Sequence, residues 1–211
     1  NIVINRDGGT DMAEDAKKEF IKLYTTNIKR EGADKLLEWL CDKSDFFEAP
    51  ASSKYHNAFE GGLCAHSLNV ARRLKLLVDT EKKLCPDKET VTHITDESVI
   101  ICGLLHDVCK ANFYKVDFRN KKEDGEWVRV PYYTIDEELP YGHGEKSVYI
   151  INGYMRLTRE EALAINWHMG GYDVRVKGGD YSISSAFEKY PLAVLTHIAD
   201  IQASYLDERC E

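Results

Sequence analysis

The adjacent residues His106 and Asp107 close an almost unbroken apolar run, VIICGLLHDVCK. A histidine in such a run can be satisfied by a single hydrogen bond in the core. A carboxylate beside it is harder to accommodate, because a buried negative charge is costly unless a cation or several donors meet it. A metal ion would supply that cation. Lys110 follows Asp107 by three residues, nearly on the same face if the helix continues. Its plain reading is a surface lysine at the negative end of a helix dipole.

Other histidines and aspartates stand in separate segments: GGLCAHS around His66, GHGEKS around His143, NWHMGG around His168 and HIADIQAS around Asp200. Together with LLHDVCK, this ordered set resembles the HD-domain superfamily of metal-dependent phosphohydrolases, over roughly residues 54–205. The resemblance implies an all-α, orthogonal helical fold and assigns ligands that spacing alone would not join. By it, His66, His106, Asp107 and Asp200 hold one ion, His143 and His168 hold a second, and Asp107 bridges them. Four imidazoles and two carboxylates suit two divalent transition-metal ions, Mn, Fe, Co, Ni or Zn, better than Mg or Ca, which favour oxygen-rich shells. Asp107 and Lys110 are then the expected catalytic residues, with Lys110 also reaching the substrate anion.

Within the superfamily the motifs look closest to the HD domains of bacterial 3′-to-5′ exoribonucleases, above all in EGGLCAHSLNVA and LLHDVCK. Those proteins carry an oligonucleotide-binding barrel, and nothing in the first 50 residues reads as one. The expected reaction is therefore hydrolysis of a small nucleotide or phosphodiester by metal-activated water at a binuclear site. Three alternatives share the motifs: a di-iron oxygenase of the same fold, a nucleoside monophosphate phosphatase and a noncatalytic nucleotide-binding module.

Further candidates are less specific. Arg72 and Arg73 follow His66 along its segment, where one faces the cleft or both solvate the helix. Arg175, Lys177, Tyr172 and Tyr181 lie in a stretch that could close over a phosphate or base, or form ordinary surface. Glu145 and His197 are candidates to orient a ligand histidine or a water from outside, against the alternatives of a favourable charge in a first helical turn and a packed helix face. His56 reaches the cleft or is a polar loop residue, and His93 has no supporting motif. Trp127, Tyr132 and Tyr133 could stack on a base, each such contact contributing about 1–3 kcal/mol, or cover the helical core.

The elements that must position these groups follow from periodicity and breakers. Residues 1–12 read as a loose leader, and residues 13–50 as N-terminal helices that pack against the site. Residues 54–205 form the metal-binding core of a single domain. Helices are expected from Leu63 to Val78, after Thr95 as N-cap, from about His143, and through EEALAINWHM behind a Thr158/Glu161 capping box. LAVLTHIADIQASYL is the last helix. YKVDFR and EWVRVPYYT, parted by a polar NKKEDG, predict a small β-hairpin near residues 114–134. YDVRVKGGDYSISSAFEKYP lacks a sustained period and reads as a mobile loop.

The bulk properties agree with a globular enzyme. The 211 residues are 43% hydrophobic and 30% charged, with a net charge of -8. That charge disfavours long nucleic acid and anionic membrane as partners. No apolar run is long enough to span a bilayer, and the opening NIVINRDGGT is not signal-like. Cytoplasmic residence is expected, as a monomer or homodimer. Six cysteines without a CxxC pair read as free, mostly buried thiols.

Overall fold

A computed structural model describes residues 9–55, 57–123 and 125–208. The chain is mostly helical. The central element is α5 (Asp96–Leu105), in which every residue from Val99 to Leu105 is buried. An element buried on all sides needs no amphipathic stripe, which explains its continuous apolar sequence. Its start is fixed by Thr95, whose side chain accepts from the Ser98 amide, and by Asp96 and Glu97 in the positive first turn.

Around α5 pack α1 (Gly9–Asn27), α3 (Gly62–Leu84), α7 (Arg159–Asn166) and α10 (Pro191–Gln202), while α6 (His143–Asn152) lies against α7. The short helices α2 (Ala33–Asp42), α4 (Glu89–Thr92), α8 (Val174–Lys177) and α9 (Ser182–Lys189) complete the body. Phe20, Tyr24, Leu36, Leu40, Phe46, Leu74, Leu104 and Ile151 are among its fully buried side chains. Burial of a large apolar side chain contributes roughly 1.5–3 kcal/mol, so this core holds the helices in fixed register. The capping box on α7 forms as expected, with Thr158 Oγ1 accepting from the Glu161 amide and Glu161 Oε2 accepting from the Thr158 amide.

Two glycines permit close approaches between helices. A Cβ on Gly103 of α5 would lie 2.4 Å from Ala71 Cα of α3, and one on Gly144 of α6 would lie 2.2 Å from the Asn166 carbonyl at the end of α7. The first approach draws together the helices of His66 and His106. The second draws α6, which carries His143, against the end of α7, which stops at Asn166 rather than running through Met169 as expected, so that His168 lies in the turn that follows.

The hairpin is present as β1 (Tyr114–Glu123) and β2 (Glu126–Ile135), paired antiparallel with Val116 opposite Tyr133 and Phe118 opposite Pro131. In a two-stranded ribbon both strands are edges, which tolerates Pro131 without its amide hydrogen. Trp127 is 72% exposed near the tip, so it does not cover the core; Tyr132 and Tyr133 are only partly buried.

Three other expectations change. Helix α1 begins at Gly9, so residues 9–12 are helical and only residues 1–8 of the expected leader lie outside the described residues. The expected mobile loop after Gly171 contains α8 and α9: Asp173 caps α8 through the Arg175 amide, and Phe187 of α9 packs against the core. Glycines and serines broke the pattern between two helices too short to show one. Finally, α5 ends at Leu105, so Lys110 stands on a separate 3₁₀ turn, Val108–Lys110, rather than on the helix of His106. Among the described residues no helix is long and apolar enough to cross a membrane.

Candidate metal centre

His66, in the second turn of α3, meets His106 at the end of α5 with their Nε2 atoms 3.2 Å apart. Asp107 lies between this pair and a second one. Its Oδ2 is 3.6 Å from His66 Nε2 and 3.5 Å from His106 Nε2, while its Oδ1 is 3.0 Å from His143 Nε2 and 3.3 Å from His168 Nε2. Asp200 of α10 completes the cluster, with Oδ1 3.3 Å from His66 Nε2. All six residues expected as ligands therefore converge from five segments of the chain. His66, His106, Asp107 and His168 are buried, and His143 is the most open, with 28% of its side chain exposed.

The outward ring nitrogens decide what the inward ones can do. His106 Nδ1–H donates to the Gly103 carbonyl at 2.9 Å, and His168 Nδ1–H donates to the Ile165 carbonyl at 2.7 Å. His66 Nδ1–H is shared between the two oxygens of Glu208, each 3.0 Å away. In the neutral tautomers so fixed, three Nε2 lone pairs point at two carboxylates. His168 Nε2 is buried near Asp107 without the geometry of a hydrogen bond. Such a collection of acceptors requires positive charge at its centre.

Electrostatics point the same way. Burial works against the His66 imidazolium, but hydrogen bonds to Asp200 and Glu208 outweigh it and lift the ring to about 10. Burial likewise opposes charge on Asp107 and Asp200; Lys110 together with the histidines holds the first carboxyl well below its usual range, and His66 does the same for the second. Burial lowers both His106 and His143. The His66 position demands a positive charge, which a proton or a divalent ion can supply. Lys110 Nζ meets Asp107 Oδ2 at 2.6 Å, while Asp200 and Glu208 meet His66. The donors present fit a transition-metal centre. Ligand atoms of His66, His106 and Asp107 lie within 4.8 Å of one another, as do those of His106, His168 and Asp200, and those of Asp107, Cys109 and His143.

Lys110 is buried, which removes the reading of a surface lysine. His197 Nδ1–H donates to the His168 carbonyl at 2.7 Å, bracing His168 from behind. Glu145 instead pairs with Arg175 Nη1 at 2.9 Å. Arg175 stacks on Trp167, with its guanidinium carbon 4.1 Å from the ring centroid, and bonds Asp173 and Asn166. It braces the turn that holds His168. Arg73 Nε donates to Asp207 at 2.8 Å, and Arg72 pairs with Glu19. Tyr172 Oη lies 3.3 Å from Tyr205 Oη, and Lys177 Nζ sits 5.8 Å from the Tyr172 ring centroid. Tyr181 is 81% exposed; His93 pairs with Glu160; His56 lies outside the described residues.

Several contributors were not expected from the sequence. Glu208 and Asn69 support His66, Asn69 Nδ2 donating to Glu208 Oε1 at 3.0 Å. Ser147 Oγ accepts from the Cys109 amide at 3.1 Å, tying the turn after Asp107 to α6. Cys109 is a buried thiol pushed up to about 12 by burial, and with Cys41, Cys64, Cys85 and Cys102 it is free; Cys210 lies outside the described residues. The available signal for Glu208 was the i, i+4 row Asp200, Ser204, Glu208.

Comparison with curated proteins gives no match, and comparison with solved structures gives none either. The HD domain family, whose members are generally metal-dependent phosphohydrolases, matches residues 63–203, a span that contains all six clustered residues. This chain belongs to the HD domain family.

Proposed function

We propose that the chain hydrolyses a small phosphodiester or nucleotide with two divalent transition-metal ions, and that it acts in the cytoplasm. The observation that carries this reading is the division of Asp107, with Oδ2 toward His66 and His106 and Oδ1 toward His143 and His168. A carboxylate between two histidine pairs suits a bridging ligand. His66, His106 and Asp200 would hold one ion, and His143 and His168 the other. When bound, such ions supply an activated water and stabilise charge on the phosphoryl oxygens.

The chain's own groups account for the rest. Asp107 holds the two halves of the cluster in one place, so the reacting groups need little reorganisation. Lys110, already against Asp107, is positioned to neutralise an additional anionic oxygen. His143 marks the accessible side, because the other histidines are sealed in the core. Tyr114 of β1 is near enough to feel Lys110 and Asp107; burial raises it to about 12, with Lys110 and Asp107 acting in opposite directions. The rings of Tyr114 and Tyr133, 6.2 Å apart, form an aromatic wall suited to a base or aryl ester.

The proposed two-metal set resembles the diesterase branches and favours a diester over a monoester, and the charge of -8 favours a small substrate over long RNA. The test compares bis(p-nitrophenyl) phosphate with p-nitrophenyl phosphate under anaerobic conditions with Mn²⁺. Faster turnover of the diester supports the proposal. Exclusive turnover of the monoester assigns a phosphatase instead, and a reaction requiring iron and oxygen assigns an oxygenase.

A further inference from the structure

The segment after α10 leaves the α-helical path. Residues Ala203–Asp207 form a π-helical turn, closed by the Glu208 amide donating to the Ala203 carbonyl at 3.1 Å. Such turns concentrate at functional sites because the added residue re-aims the side chains that follow. The side chains of this turn tie it to the surrounding helices. Ser204 Oγ donates to Asp200 Oδ1 at 3.4 Å, Tyr205 meets Tyr172, Asp207 is gripped by Arg73, and Glu208 meets His66. Those of Ser204 and Glu208 fall on members of the metal cluster.

Glu208 is only 6% exposed, an unusual place for a carboxylate. Its two oxygens are equidistant from His66 Nδ1, and Asn69, one turn further along α3, donates to one of them. This is the geometry by which a carboxylate outside the coordination sphere fixes a histidine's tautomer and ring plane and strengthens it as a donor. Arg73 and Asp207 anchor the turn to the same helix that carries His66. Glu208 lies beyond the residues matched to the family, so its role is not supplied by that match.

We infer that Glu208 is a positioning residue for the metal centre, delivered by the C-terminal π turn, and that retention of metal by His66 depends on it. The inference rests on the metal-binding reading of the cluster, but not on which phosphate ester is hydrolysed.

The test measures Mn²⁺ binding to the full chain by electron paramagnetic resonance, and the visible spectrum of the Co²⁺-loaded chain. The native protein is compared with Glu208→Gln, which keeps an acceptor oxygen, and Glu208→Ala, which keeps none. Each variant is first shown by circular dichroism to be folded at the temperature of measurement, where Glu208→Gln guards against loss of fold in the alanine variant. The expected result is a loss of Mn²⁺ affinity of about 10- to 100-fold in Glu208→Ala, a smaller loss in Glu208→Gln, and an altered Co²⁺ spectrum. A purely structural Glu208 would lower the melting temperature and leave the affinity and spectrum of the folded variants native, which overturns the inference. Failure of the native chain to bind Mn²⁺ or Co²⁺ would overturn the metal centre itself.

Discussion

Lys110 Nζ lies 2.6 Å from Asp107 Oδ2, the same carboxylate oxygen that faces His66 and His106. The lysine therefore shares its anion with the proposed ions. Both residues are almost completely buried, and breaking a buried pair by removing one partner costs about 3–5 kcal/mol, because the other charge is left uncompensated. Lys110→Met should destabilise the metal-free protein by about that amount. Saturation with Mn²⁺ should recover much of the loss, since the ions supply Asp107 with positive charge. Urea unfolding with and without Mn²⁺ measures the difference; an equal loss under both conditions would contradict a shared anion.

Metal should stabilise the native chain as a ligand of the folded state. At a free concentration 100 times Kd, linkage gives about 2.7 kcal/mol. For a protein of this size that corresponds to a rise in Tm of roughly 5–10 °C. Thermal unfolding in EDTA and then in excess Mn²⁺ reads it directly, and an unchanged Tm would count against a site formed only on folding.

The glycines at the helix crossings should behave as parts of the site although neither touches it. Gly103→Ala places a methyl group against Ala71, and Gly144→Ala places one against Asn166. Each should cost about 1–3 kcal/mol through overpacking. Each should also weaken Mn²⁺ binding, because the substituted helix must move away from the partner that carries the matching histidine. Calorimetric titration of the folded variants distinguishes this from a loss of stability alone, which would leave Kd native.

Acid sensitivity should include a contribution from Glu161, which is distant from the cluster. Its buried carboxylate receives Arg30 Nη1 at 2.5 Å and Nη2 at 2.6 Å and the Ser98 hydroxyl at 2.6 Å. Burial alone would raise its pKa, but Arg30 and Ser98 outweigh burial and lower it from the ordinary value of 4.5. A carboxyl depressed in the folded state adds stability that is fully present above the unfolded value. That stability is lost as pH falls from about 4.5 through the lower folded value. Denaturation midpoints from pH 6 to pH 3 should therefore converge for native protein and Glu161→Gln at the acid end.

Much of this structure was legible in residue types and spacing. Thr95, the Thr158/Glu161 box and the continuous apolar run before His106 are local signals, and each produced the expected element. The six clustered residues were legible only as an ordered set of motifs, because no local rule joins His66 to Asp200. Long-range pairing was invisible. Glu208 sits in a short charged tail, and its meaning depends on a π turn that aims it back at α3. The same holds for Arg175, whose loop-like neighbours concealed that Trp167, Asp173 and Glu145 engage it. Lys110 was singled out by its spacing and by the family resemblance, and it pairs with Asp107 from a 3₁₀ turn rather than from the helix of His106.

The most direct measurement is anaerobic release of p-nitrophenol from bis(p-nitrophenyl) phosphate by the Mn²⁺-loaded native chain and by Asp107→Ala. A metal-dependent phosphodiesterase organised around Asp107 should turn over without oxygen, stop on chelation and lose at least about 100-fold in kcat/KM in the variant, equivalent to about 2.7 kcal/mol of transition-state stabilisation. No turnover from folded, fully metal-loaded native protein, or native rates from Asp107→Ala, would contradict it.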